Sequence, residues 1–140
     1  MLKKIPKNIS PQLLKVLMEM GHGDEIVIAD GNYPAASNAR NLVQCDGLNV
    51  PELLKSILEL MPLDQYVESS VALMEVVKGD NTVPVIWEEY RGILDKTKQK
   101  YTIEMMERAS FYERGKKAYA IVATGEEAIY ANILLKKGVV

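Results

Sequence analysis

One cysteine, one histidine and no apolar run of membrane length narrow this sequence before any motif does. Cys45 has no second thiol in the chain, so no intrachain disulfide forms and a reducing compartment is the natural setting. His22 and Cys45 are too few and too far apart to frame a zinc site. No segment approaches the ~20 apolar residues that a membrane span needs. The opening MLKKIPKNIS is basic but has no apolar stretch behind it, so no secretory leader is expected. Charge of one sign is also missing. With 17 basic and 19 acidic residues the net charge is -2, which argues against a surface that tracks nucleic-acid phosphates. GxGxxG and the GxxxxGK loop are absent, so nothing announces a nucleotide-phosphate cradle, and no GxSxG marks a nucleophilic serine. These absences lead to a cytoplasmic protein that binds neither nucleic acid nor membrane.

What is present is ordinary globular material. A chain of 140 residues, 48% hydrophobic and 26% charged, is read as one domain over residues 1–140, long enough to bury a core without a disulfide or metal. Ser10-Pro11 starts a helix with a hydroxyl cap followed by a proline whose missing N–H costs nothing there. Leu13, Leu14, Leu17 and Met20 continue it at helical spacing, and Gly21 falls where a left-handed C-terminal residue is expected. Ile26 to Ala29 is short, continuous and β-branched, the pattern of a strand covered on both faces. A second helix opens at Asn49-Val50-Pro51-Glu52 and a third at Pro84. Arg108 to Lys117 reads as a short charged helix. Strands are expected at Val71 to Val77, Ile103 to Met106, Ala118 to Thr124 and Ile133 to Leu135. Alternation of helix and strand predicts an α/β class, a single layered α/β/α domain with a central sheet, of unspecified strand order.

Polar residues near element ends carry the candidate chemistry. Histidine is the one side-chain type that ordinarily gives and takes protons near neutral pH, and His22 lies just past a helix end. It is either a proton-transfer residue or a helix-end cation that satisfies the helix dipole. Asp30 follows the central strand and is either a ligand residue or a turn former. His22 and Asp30 thus flank one strand and, at ~3.3 Å per residue, lie over ~15 Å apart. They share a pocket only if the His22 segment folds back or a second subunit supplies one of them. Arg108 precedes Phe111-Tyr112 and either binds a ligand or snorkels along its helix. Tyr130 and Asn132 are two apart, so on an extended segment both face one side, suited to hydroxyl recognition or to a subunit contact. The acidic pairs Asp24-Glu25, Glu88-Glu89 and Glu126-Glu127 read as solubilising.

Four blocks in order then carry a resemblance: SPQLLKVL running into MGHGDEIVIAD, NYPAAS, RASFYERGKKAYAIVATGE, and YANILLKKGV. From Ser10 to Val139 the chain resembles the L-fucose mutarotase family, related to the D-ribose pyranases. NYPAAS stands where the pyranases tend to carry a Leu-Pro-x-Pro turn, and RASFYERGKKA where they tend to carry a second histidine, which this chain lacks. The resemblance therefore points to fucose over ribose. It implies a mutarotase/ribose-pyranase-like fold and interconversion of the α and β anomers of a free monosaccharide, with no metal and no cofactor. It implies His22 as proton donor, Asp30, Arg108, Tyr130 and Asn132 as substrate-binding residues, and a ring-shaped homo-oligomer, commonly a decamer. The alternatives are a D-ribose pyranase-type activity, or a non-catalytic sugar-binding accessory protein of sugar uptake.

Overall fold

The computed structural model describes all 140 residues. In chain order the elements are α1 (Pro11–Glu19), β1 (Glu25–Ala29), α2 (Ala35–Asn38), β2 (Leu42–Cys45), α3 (Val50–Leu60), β3 (Val71–Met74), α4 (Ile86–Lys96), β4 (Ile103–Met106), α5 (Arg108–Lys117), β5 (Ala120–Thr124) and β6 (Ile133–Lys136). The strands form one sheet in the order β2-β5-β1-β6-β3-β4. Strand β1 runs parallel to β5, β5 to β2, and β3 to β4, whereas β6 pairs antiparallel with both β1 and β3. Five strands therefore end at one edge of the sheet, and β6 begins there.

Alternation along β1 sorts the two layers. Ile26 and Ile28 pack into a large core with residues of α1, α3 and α4, while Val27 and Ala29 pack on the other face with Ala35 of α2 and Phe111 of α5. All four are fully buried, which is why this strand reads as an uninterrupted apolar run. Helices on both faces make the α/β/α layering that the alternation predicts. No helix is long and apolar enough to cross a membrane.

The caps explain the helix ends. Ser10 accepts from the Leu13 N–H at 3.1 Å, and Glu52 reaches back to the Asn49 N–H at 2.7 Å. Two expectations fail here. Gly23, not Gly21, takes the left-handed conformation (φ 88°), and Met20 ends α1 in an extended one. The carbonyls of Leu17 and Met20 are satisfied by the Lys137 ammonium rather than by His22. The strand expected over Val71 to Val77 stops at Met74, and β5 begins at Ala120 rather than Ala118. Two elements, α2 and β2, arise where no regular structure was expected.

Candidate active site

The edge where the parallel strands end opens into a cavity of about 330 Å³. Open α/β sheets hold ligands at this edge, because loops leaving several strands converge there. Asp30 reaches it from the end of β1, Met74 from the end of β3 and Asn132 from the residue before β6. Arg108 reaches it from the first turn of α5, and Tyr130 and Asp80 from loops. Four of the five residues singled out in the sequence thus meet in one cavity of a size suited to a small molecule.

Asp30 is buried, with its N–H donating to Asn132 Oδ1 at 2.7 Å and its Oδ1 accepting from the Asn32 N–H at 3.0 Å. It is both turn former and cavity wall, so the two readings of it are compatible. Arg108 lies with its guanidinium carbon 5.5 Å from the Tyr112 ring centroid, and the Tyr33 ring meets Tyr112 edge-on at 5.3 Å. The nearby Arg114 is committed elsewhere, to Glu25 at 2.5 Å and Glu104 at 2.6 Å.

Tyr130 and Asn132 face the cavity for a different reason from the extended alternation expected. Tyr130 has φ 59°, in the left-handed region where a bulky residue is strained by roughly 1–3 kcal/mol. Helix α4 holds the segment against that strain. Trp87 Nε1 donates to the Tyr130 carbonyl at 2.8 Å, and the Tyr90 hydroxyl donates to the Ala131 carbonyl at 2.6 Å. The Tyr130 hydroxyl donates to Asp80 Oδ2 at 2.5 Å and accepts from the Val77 N–H at 3.3 Å.

Burial pushes the Asp30 carboxyl above its usual range, against hydrogen bonds from Asn32, Tyr33, Ala131 and Asn132. A raised folded-state pKa penalises the fold wherever the group is ionised. The penalty is complete above the folded pKa and vanishes below the ordinary value of 3.8, where folded and unfolded chains are both protonated. Asp30→Asn is expected to raise the melting temperature at neutral pH by a few degrees, on the order of 1 kcal/mol, as removal of a functional strain does. The gain should disappear near pH 3. Thermal unfolding at the two pH values checks this, and an equal gain at both would show that ionisation is not its source.

His22 is not in the cavity. It sits at the opposite edge of the sheet, on a turn stapled to the end of β6 by hydrogen bonds from the Gly23 N–H to the Lys137 carbonyl (2.8 Å) and from the Lys137 N–H to the Asp24 carbonyl (2.9 Å). Its Nε2 lies 3.0 Å from Asp64 Oδ1, and its half-exposed ring contacts Tyr66 at 5.4 Å between centroids. Asp64 is buried. The Tyr66 N–H at 3.0 Å and then His22 hold its carboxyl below the usual range, so it stays ionised and accepts. Nε2 therefore carries the hydrogen that this carboxylate accepts, and Nδ1 faces away from Asp64. The His22 segment does not fold back: about 16 Å of β1 separates it from Asp30.

Asp64, Tyr66 and Asp80 were not singled out in the sequence. Asp64 meets His22 across 42 residues, and only the sheet topology brings them together. Asp80 lies in Gly79-Asp80-Asn81, a composition that marks a turn and nothing more.

Known proteins resemble this chain over nearly its whole length. A fucose mutarotase of Mus musculus is 50% identical, over 98% of this chain and 94% of its own length. The fucose mutarotase of Streptococcus pneumoniae, solved in complex with L-fucose, superposes with a TM-score of 0.96 at 64% identity, covering 99% of each chain. RbsD of Bacillus subtilis, solved with D-ribose, is more distant, with a TM-score of 0.73 at 26% identity over 100% of this chain and 99% of its own. The pattern that defines the RbsD / FucU transport protein family matches residues 3–140, and with relatives this similar over nearly the whole length the chain belongs to that family.

Proposed function

We propose that this protein is an L-fucose mutarotase, an isomerase that interconverts the α and β anomers of L-fucopyranose by opening and closing the sugar ring. The observation that carries the reading is the convergence of Asp30, Arg108, Tyr130 and Asn132 on one cavity, in a chain 64% identical to a fucose mutarotase solved with L-fucose. The cavity adds Met74, Val77 and Ile129 to these polar groups, which suits a sugar bearing several hydroxyls and one methyl. Residues 1–140 act as one cytoplasmic domain.

The chemistry is two proton transfers. A base takes the proton of the anomeric hydroxyl while an acid protonates the ring oxygen; the C1–O5 bond breaks, C1–C2 rotates, and the ring closes on the other face. His22, with Nε2–H fixed on Asp64, is the acid in its imidazolium form. Its Nδ1 proton goes to the ring oxygen as the ring opens and returns on closure, which restores the imidazolium. Asp30 accepts hydrogen bonds from sugar hydroxyls, and the guanidinium of Arg108 and the amide of Asn132 donate to sugar oxygens. General acid–base help of this kind supplies ~10²–10⁴-fold.

Since His22 lies at the far edge of its own chain, the His22 that completes each cavity comes from a second copy. Both edges present apolar surface for such a junction. Met18 and Tyr66, near His22, are each 77% exposed, and Val83 and Val85, on the segment that follows Asp80, are 80% and 78% exposed. A ring-shaped homo-oligomer, a decamer by family resemblance, satisfies every junction.

Saturation-transfer NMR of anomeric protons tests the reading. Wild type is expected to accelerate exchange of L-fucose more than that of D-ribose, and His22→Gln to lose the acceleration while still binding. Absence of acceleration for every free monosaccharide would leave a sugar-binding accessory protein.

A further inference from the structure

The acid in this scheme is His22; the geometry points to Asp80 as the positioning residue of the base, which fixes the Tyr130 hydroxyl so that a lone pair, not a proton, meets the anomeric hydroxyl. The inference rests on the mutarotase reading and goes beyond it by assigning the other proton.

A phenol has one hydrogen and two acceptor sites. In this cavity the hydrogen is committed to Asp80 Oδ2 at 2.5 Å, and one acceptor site takes the Val77 N–H at 3.3 Å. A sugar hydroxyl approaching Tyr130 Oη therefore finds only an acceptor. Asp80 is itself locked: its Oδ1 takes the Thr82 N–H at 2.9 Å and the Thr82 hydroxyl at 2.6 Å. The strained backbone of Tyr130 is what aims the ring at this carboxylate, since α4 pins the Tyr130 carbonyl from the other side.

Hydrogen bonds from Thr82 and Tyr130 hold the Asp80 carboxyl below its usual range, and the same bond to Asp80 raises the Tyr130 phenol. The resting pair is thus phenol and carboxylate. As the ring opens, the anomeric O–H bond breaks and its proton passes to Tyr130 Oη, while the phenol proton moves to Asp80 Oδ2. The electron pair left on the anomeric oxygen forms the aldehyde C=O, the C1–O5 bond breaks with its pair going to O5, and the Nδ1 proton of the His22 imidazolium caps O5, leaving neutral imidazole. Closure on the opposite face reverses each transfer, so no external acid, base or oxidant is consumed. The other charged or titratable groups on this cavity are Arg108 and Tyr112 of α5 and Asp30 and Tyr33 beyond β1. Asp30 is committed to the Asn32 N–H, and neither it nor Arg108 bonds the Tyr130 hydroxyl.

The test compares wild type, Asp80→Asn, Tyr130→Phe and the double variant by anomer-exchange NMR across pH. Asp80→Asn keeps an acceptor for the phenol but removes the charge that receives the proton. Its kcat is expected to fall about 10²-fold with KM changed less than about threefold, and the double variant should be no slower than Tyr130→Phe, as for residues acting as a unit. Thr82→Val removes one bond that holds the carboxyl down, so the acid limb of kcat should move to higher pH; this variant decides the matter if Asp80→Asn is too unstable to assay. Wild-type exchange with Asp80→Asn at wild-type kcat, additive losses in the double variant, or an unmoved acid limb in Thr82→Val overturns the assignment. No exchange in wild type overturns the mutarotase reading instead.

Discussion

Mixed oligomers of His22→Gln and Asp30→Asn chains are expected to recover anomer exchange that neither protein shows alone. Each variant spoils one edge of the sheet and leaves the other intact. If the working site joins the Asp30 edge of one copy to the His22 edge of another, random mixing leaves about one junction in four with both residues present. Against the ~10²–10⁴-fold loss expected for removing a general acid, recovery to about a quarter of the wild-type rate is a large signal. The measurement is saturation transfer on L-fucose before and after the two proteins are co-dissociated and reassembled. Activity that merely averages the two variants would mean that no junction combines the edges, and the shared site would be wrong. The outcome is sharp because β1 is buried and paired on both sides, and cannot shorten to bring its own two ends together.

Gly115→Ala should destabilise the fold although it replaces glycine inside a helix. Helix propensity alone would give a gain of about 1 kcal/mol. A Cβ at Gly115, however, would overlap the Tyr33 hydroxyl, and Tyr33 is buried against Phe111 and Tyr112 with nowhere to retreat except the cavity it lines. Overpacking of this kind costs roughly 1–3 kcal/mol, and sugar affinity should fall with it as the ring is pushed inward. The Tyr33 hydroxyl has no hydrogen-bond partner, and burial pushes its pKa up to about 12. Tyr33→Phe therefore removes the overlap and an unsatisfied buried group together. In the Tyr33→Phe background, Gly115→Ala should turn stabilising. Thermal unfolding of the four proteins forms the cycle, and a change of the same sign in both backgrounds would show that the hydroxyl is not the obstacle.

Legibility in the sequence followed burial and locality. Residues 26–29 announce a central strand because both faces are apolar, and Ser10-Pro11 announces a helix because the cap lies within one turn of it. Strand β2 escaped because Leu42-Val43-Gln44-Cys45 is a four-residue edge strand with alternate residues exposed, too short to separate from a loop. The single turn of α2 hid within NYPAAS, since it spans only four residues and its N-cap, Pro34, makes no side-chain cap bond. Among site residues, Asp30 and Asn132 sit beside strand ends and could be placed by pattern. Tyr130 lines the cavity for a reason that alternation does not contain, since its left-handed backbone is held by Trp87 and Tyr90 from a distant helix. Lys137, Asp64 and Asp80 act across tens of residues, and no local spacing records that.

Strand β6 is four residues long, yet Asn132 precedes it at one edge of the sheet and Lys137 follows it at the other, where it clamps the turn bearing His22. One rigid rod thus fixes the distance between the cavity edge and the turn that bears His22. On the proposed shared site the unit of turnover is the seam between copies, so dilution that parts them is expected to halt turnover.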